Sequence, residues 1–348
     1  MAGNRGAAVP RVATPVIVFL VVIALVFAAF SLLHGQFLSA RNLTNLLRHA
    51  SIFSIFALGV LFVVVVGHFD LSFYLVCGLA GMTTSWLIAV EVPAPWSVGV
   101  GLVVGALFGI ANGVAIGRWK LPDMVTTIGT GAVAWGFAWI YSKGSYIWQN
   151  ARTSGILLLN DGTILRLPVP VVFMLGTYLL ALLAVHRSRF GRGFYATGEN
   201  RVAAVFSGVH VEAFIVAAFT ICAVLTSMGA ILSNASQGAG SVRVGMVFLL
   251  PAYATVFLGS AVFRKATVHG TLVASLFISL MLNGFTLMAV PYYYSDLIVG
   301  IVLIVALALS SDTLSRLRES LRRAGRRREE GRETEPVAGP LAGTGGQP

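Results

Sequence analysis

Apolar runs close to the thickness of a bilayer's hydrocarbon layer fill most of this chain. A helix needs about 20 apolar residues to cross that layer, where every backbone amide must be satisfied without water. By that ruler the candidate spans are residues 15–33, 51–67, 71–90, 97–117, 124–141, 169–185, 213–233, 245–263, 266–290 and 292–310. About ten spans predict an all-α, polytopic membrane helical bundle with both termini on one side. The first run is longer than a signal-peptide core and no clear small-residue cleavage site follows it, so it reads as a retained helix. The plan is a polar segment over 1–14, a membrane domain over 15–311 and a tail over 312–348. That tail runs from arginine-rich to acidic to Gly/Pro-rich. Its composition predicts disorder, with a basic part able to lie on anionic lipid headgroups or simply to anchor topology.

Charge supports the plan. Only 11% of residues are charged, against about 25% in soluble domains, although the net charge is +11. In a soluble chain that excess would suggest nucleic acid. Here it reads as positive-inside topology plus a basic tail, with no nucleic-acid partner. With both termini cytoplasmic, 18 Lys/Arg fall inside and 6 outside. The segment 142–168 is then the longest outer connection, either a plain loop or the place where an extracytoplasmic partner docks.

Several chemistries are excluded. No phosphate-binding G-x-x-x-x-G-K-[ST] loop is present, and neither H-E-x-x-H nor G-x-S-x-G occurs. Cys77 and Cys222 lie in apolar runs without metal-ligand spacing. An ion-coupled carrier usually keeps ionisable groups within its spans, and this chain has few; only Asp70 and Asp296 border long apolar segments closely.

Four stretches stand out. The polar interruption 187–212 carries Arg187, Arg189, Arg192 and Arg201. Within it, 200–209 reads as a short amphipathic helix with a small-residue face of Ala203, Ala204 and Ser207, preceded by Gly198 and followed at Gly208. Such a helix is either a lever for a soluble partner or part of a generic basic loop. Gly101, Gly105, Gly109, Gly113 and Gly117 recur every fourth residue. That stripe permits close backbone approach, for sliding or for static packing, and Asn112 in the same run can bond across helices. Asp70 sits between two runs with little room for a loop; it caps the following helix, contacts a solute, or does both. Thr126, Thr127 and Thr130 put hydroxyls on an apolar helix after Pro122, for backbone bonding or for solute contact.

These stretches also carry a resemblance. Gly191, Arg192, Ala196, Gly198, Asn200, Ala203, Ala204, Ser207, Gly208 and Val209 resemble the signature of ABC-transporter permeases of the ribose/xylose/simple-sugar import family, with Glu199 where the family usually has Gly. Gly67, Asp70, Leu71 and Ser72 resemble its Asp-Leu-Ser motif, with His68 and Phe69 departing from it. Leu258, Gly259, Ser260, Gly270 and Thr271 match a glycine-rich stretch in which Arg264 and Lys265 replace the inner glycines. Asn283 and Gly284 match a later motif. The resemblance spans about 37–311.

It implies the permease subunit of an ATP-driven, binding-protein-dependent importer for a monosaccharide or related small polar solute, working by alternating access in the cell membrane. It implies no catalysis and no cofactor in this chain, with ATP and Mg held by a separate cytoplasmic ABC ATPase. The other implied partners are a second permease subunit, an extracytoplasmic solute-binding protein and membrane lipids. Gly198, Glu199, Asn200, Ala203, Ala204, Ser207 and Gly208 become candidates for ATPase coupling. Asp70, Asn112, Thr126, Thr127 and Asn283 become candidates for the pathway. The alternatives are another substrate branch (nucleoside, signal-sugar derivative or branched-chain amino acid), an ion-coupled carrier, or a membrane scaffold.

Overall fold

The computed structural model describes residues 13–309; the expected terminal segment and tail lie outside the described residues, apart from the ends of that range. In chain order the helices are α1 (Ala13–Leu33), α2 (Ala40–Val65), α3 (Phe73–Ala89), α4 (Ala94–Gly117), α5 (Asp123–Ser142) and the one-turn α6 (Leu158–Asp161). A two-stranded antiparallel hairpin, β1 (Thr163–Ile164) and β2 (Leu167–Pro168), leads into α7 (Val169–His186). Then come α8 (Arg189–Glu199), α9 (Arg201–Phe206), α10 (Val211–Gln237), α11 (Leu249–Phe263), α12 (Val268–Leu287) and α13 (Tyr292–Leu309).

Seven of these segments are long and apolar enough to cross a membrane: Pro15–Leu33, α2, α4, α7, α10, Met246–Phe263 and α12. Three more of the expected spans fall short of that standard. Helix α3 has 17 residues, α5 has 20 but carries many polar groups, and the apolar part of α13 is Tyr293–Ala306.

Helices α2 and α10 form the centre. Both are apolar on nearly all sides, and Ile55, Phe56, Leu58, Val60, Ile215, Phe219 and Leu232 are fully or almost fully buried between them and their neighbours. A helix apolar all round belongs in the middle of a bundle. Around this pair pack α3, α4, α7, α11 and α12. The glycine stripe of α4 faces α10: a Cβ on Gly109 would lie 2.7 Å from the Phe219 carbonyl, and one on Gly113 2.5 Å from Val216 Cα. Gly105 abuts Ser227, and Gly101 abuts Thr84 of α3. Tight backbone packing is therefore what the stripe provides.

Two of the boundaries that differ from the sequence reading change how the bundle is built. The expected span 51–67 begins instead at Ala40, because the Ser39 hydroxyl caps the helix by accepting from Asn42 N. Arg41 and Arg48, counted as loop charges, are thus helical. The expected span 245–263 starts as a 3₁₀ turn, Met246–Phe248, before α11. Ahead of it the backbone over 240–245 is non-helical yet largely buried, running along α3. Gly78 and Gly245 make room for it, since a Cβ on either would strike the carbonyl of Val242 or Tyr74. Non-helical backbone at such depth survives only when enclosed by protein.

Candidate functional site

The central polar segment folds as two helices at one end of the bundle. Helix α8 occupies part of the polar stretch where the sequence predicts no helix, and it is capped by Ser188, whose hydroxyl accepts from Phe190 N at 3.1 Å. Small residues dock it: Gly198 packs on the Val65 carbonyl at the end of α2, Gly191 on Val185, and Gly193 on the Phe214 ring. Asn200 then breaks the helix with extended backbone at φ −156°, and its Oδ1 caps α9 by accepting from Ala203 N at 3.0 Å. Gly208 closes the turn at φ +76°, where glycine is favoured. Asn200 and Gly208 thus shape the segment, and the short helix is narrower than the expected 200–209.

The small-residue face expected to dock is only partly turned outward. Ala204 is buried at 3% exposure, while Ala203 and Ser207 are exposed and bonded to each other through the Ser207 hydroxyl and Ala203 carbonyl. The outward face is apolar: Val202, Val205 and Phe206 are 67%, 59% and 88% exposed. A cluster of large exposed apolar side chains on a polar segment is a contact surface. Alternation of Val202, Val205 and Phe206 with Arg201 and Ala204 was the available signal, at helical spacing.

Three polar links tie this segment to other connections. Arg201 donates through Nη2 to His68 Nε2 at 2.6 Å and to the Val66 carbonyl at 3.3 Å. His68 therefore carries its proton on Nδ1 and donates to Asp123 Oδ2 at 3.0 Å, an oxygen that also accepts from Phe69 N. Burial lowers the His68 pKa; the Asp123 hydrogen bond opposes that, and the Arg201 charge adds to it. Lys265 Nζ donates to Glu199 at 2.7 Å and sits 3.8 Å over the Tyr195 ring. Tyr195 donates to the Ala266 carbonyl at 2.8 Å, and burial, with the Glu199 charge, pushes its phenol up to about 12. Lys120 pairs with Glu212 at 3.3 Å.

The five expected pathway residues separate. Asp70, Asn112 and Thr127 meet around the connection between α2 and α3. Asp70 Oδ1 accepts from Ser72 N (2.7 Å) and Ser72 Oγ (2.5 Å), and Asn112 Nδ2 donates to the same Ser72 Oγ (2.8 Å). Leu71 N donates to Thr127 Oγ1, and the Tyr253 hydroxyl bridges Asp70 N and its carbonyl. Asp70 is 2% exposed. This network shapes the entry to α3, which begins at Phe73 rather than at Leu71. Thr126 stands apart, its hydroxyl bonded to the Pro122 carbonyl of its own helix. Asn283 lies at the opposite end, where its side-chain amide and that of Asn42 donate to each other at 3.0 and 3.2 Å. Of the five, Asn283 lines a cavity of about 560 Å³ between α2, α10, α11 and α12.

Comparison with known proteins supplies the context. Residues 42–307 match the family model described as "Branched-chain amino acid transport system / permease component". The chain is 29% identical to the ribose import permease protein RbsC of Escherichia coli strain K12, covering 84% of this chain and 92% of that protein. It is 30% identical to RbsC of Bacillus subtilis strain 168, over 80% and 87%. The D-allose transport system permease protein AlsC of E. coli K12 is 28% identical, over 83% and 89%. No solved structure matches.

Proposed function

The chain belongs to the branched-chain amino acid transport system permease family, in its sugar-import ABC permease branch, and from that premise we propose that it is the membrane subunit of an ATP-driven, binding-protein-dependent importer for a monosaccharide or related small polar solute. It is a multi-pass protein of the cell membrane. Its relatives are permease components rather than enzymes. In this reading ATP and Mg bind a separate cytoplasmic ATPase, a second permease subunit completes the pathway, and a solute-binding protein docks near 142–168.

Alternation of the connections supports ten spans with cytoplasmic termini. The connections after α2, α4, α7 and α11 meet one another through His68, Lys120, Arg201 and Lys265. Those after α3, α5 and α10 meet at the other end, where Asn150 donates to the Ala89 carbonyl and Ile147 bridges Gly240. Successive helices thus run from end to end, and the short α3 and the polar α5 are among them.

The observation that carries the coupling role is the exposed apolar face of α9, held by Arg201 to the start of α5 through His68 and Asp123. ATPase closure would press on Phe206, and alternating access would follow as that push reaches α2 and α5. The test is to purify the chain in mild detergent beside Phe206→Glu and identify an ABC ATPase by the phosphate-loop sequence this chain lacks. Its presence with the wild type and loss from the variant supports the reading. Equal recovery with both places the contact elsewhere, and no ATPase with either favours an ion-coupled carrier.

A further inference from the structure

The cavity that holds Asn283 has the chemistry of a sugar site. Most of its polar groups come from two stripes at helical spacing, Asn42, Asn45 and His49 of α2 and Ser279, Asn283 and Thr286 of α12, and Ser233 of α10 adds one more hydroxyl. No Asp, Glu, Lys or Arg lines it. The Phe248 ring forms part of the wall, fixed by stacking on Phe56 at 4.1 Å between centroids. About 560 Å³ falls within the range of small-molecule sites, which combine an apolar wall with a few placed polar groups.

The hydrogen-bond inventory says what the cavity lacks. Ser279 is 6% exposed, and its hydroxyl has no partner among the described residues. A buried hydroxyl without a partner is an open hydrogen-bonding group, and this one lines the cavity. Asn42 spends both amide hydrogens, on Phe37 O and Asn283 Oδ1. Asn283 spends one on Asn42 and keeps the other, and the Asn45 amide makes no hydrogen bond among the described residues. The open groups are therefore amide donors, amide acceptors and one hydroxyl, which suit ligand hydroxyls in either direction. A zwitterion or a phosphate would find no fixed charge of opposite sign here, and desolvating it would go uncompensated.

We propose that this cavity binds a neutral polyhydroxylated solute during passage, with Ser279 and Asn283 as inner contacts, Asn45 at the rim and Phe248 against the carbon face of the ring. The proposal rests on the importer reading above and names the place and chemistry of its solute contact.

The test is uptake of labelled D-ribose, D-allose, D-xylose and L-arabinose by proteoliposomes holding the whole complex with its binding protein. Ser279→Ala removes a hydroxyl that bonds nothing in the protein, so a purely structural role predicts an unchanged or raised Tm and normal uptake. A solute contact predicts the same Tm with the transport KM raised about 10-fold, a change equal to roughly 1.4 kcal/mol. Ser279→Leu, which fills the space, then abolishes uptake while ATPase assembly and basal ATP hydrolysis persist. Asn45→Leu provides the same test from an exposed position should the larger side chain prevent folding. Wild-type uptake of one of these sugars with unaltered KM in all variants overturns the cavity assignment. No uptake of any by the wild type defeats the sugar reading itself.

Discussion

Gly113 and Gly99 lie on one helix, α4, and substituting each with alanine separates packing from propensity. A Cβ on Gly113 would meet Val216 Cα at 2.5 Å, its carbonyl oxygen at 3.1 Å and its carbonyl carbon at 3.3 Å, whereas one on Gly99 meets nothing within 4 Å. All three neighbours of Gly113 are backbone, so no side chain can rotate aside. Helices α4 and α10 would have to part until the 2.5 Å contact reached an ordinary 3.4 Å or more. Overpacking of this kind costs about 1–3 kcal/mol, and the gain in helix propensity over glycine returns roughly 0.5–1 kcal/mol. The net loss of about 1–2 kcal/mol should lower Tm by roughly 2–8 °C, taking about 2–4 °C per kcal/mol. Gly99→Ala should leave Tm unchanged or raise it slightly. The assay is thermal unfolding of both purified variants in one detergent, followed by intrinsic fluorescence and by size-exclusion recovery. If Gly113→Ala melts with Gly99→Ala within about 1 °C, the close approach of α4 to α10 is wrong.

Two further predictions concern the end that holds α8 and α9. The Glu199–Lys265 pair is largely exposed, so a double-mutant cycle with Glu199→Gln and Lys265→Gln should give a coupling of about 0.2–1 kcal/mol that shrinks in high salt. A coupling above about 2 kcal/mol would mean that the pair is desolvated by a contact this geometry does not contain. His68 has a pKa held below its ordinary 6.5, chiefly by burial, with Asp123 opposing and Arg201 and Lys120 adding to the depression. The unfolded chain then binds more protons than the folded one between the lowered value and 6.5. The stability this junction contributes is complete above about pH 6.5 and is lost as pH falls through the lowered value. Hydrogen-exchange protection over 66–72 should drop between pH 7.5 and 5.5 in the wild type, and the drop should vanish in His68→Gln; an identical drop in both would remove His68 as its cause.

Much of the architecture was legible because span length and charge asymmetry are coarse physical quantities. The bundle class and the glycine edge of α4 follow from spacing alone. The misses share one cause, which is that hydropathy hides polar residues inside helices. Asn42, Asn45 and His49 were assigned to an outer loop because they dilute the apolar run, yet they form one face of α2. Their i, i+3, i+7 spacing was a readable signal. The same holds for α8, whose arginines make 187–199 read as a polar connection although its glycines dock it against Val65, Val185 and Phe214. Conversely, Asp70, Asn112 and Thr127 attract notice as polar groups among apolar ones. Asp70 accepts two hydrogen bonds from Ser72, two residues on, so its side chain is used within the protein, and that local turn is the reading the Asp-Leu-Ser spacing also allows.

Two of the positions where the chain departs from the sugar-permease pattern touch each other. Glu199 stands where that pattern has glycine, Lys265 where it has another, and the two form the ion pair between α8 and the connection after α11. Arg264, the second replacement for a glycine, adopts φ +59°, so the backbone still takes the left-handed turn that a glycine would favour. His68, a third departure, fills the gap between Arg201 and Asp123, two charges of opposite sign on separate elements. Glu199 and Lys265 satisfy one another, and His68 is satisfied by Arg201 and Asp123. Glycines at such junctions let elements move with little resistance, whereas these side chains tie α8 and α9 to α2, α5 and α11 by directional contacts. In the importer reading proposed above, a push on Phe206 would displace α9 together with those helices instead of being absorbed by a loose connection, and an exposed pair such as Glu199–Lys265, at about 1 kcal/mol, would be weak enough to break and re-form.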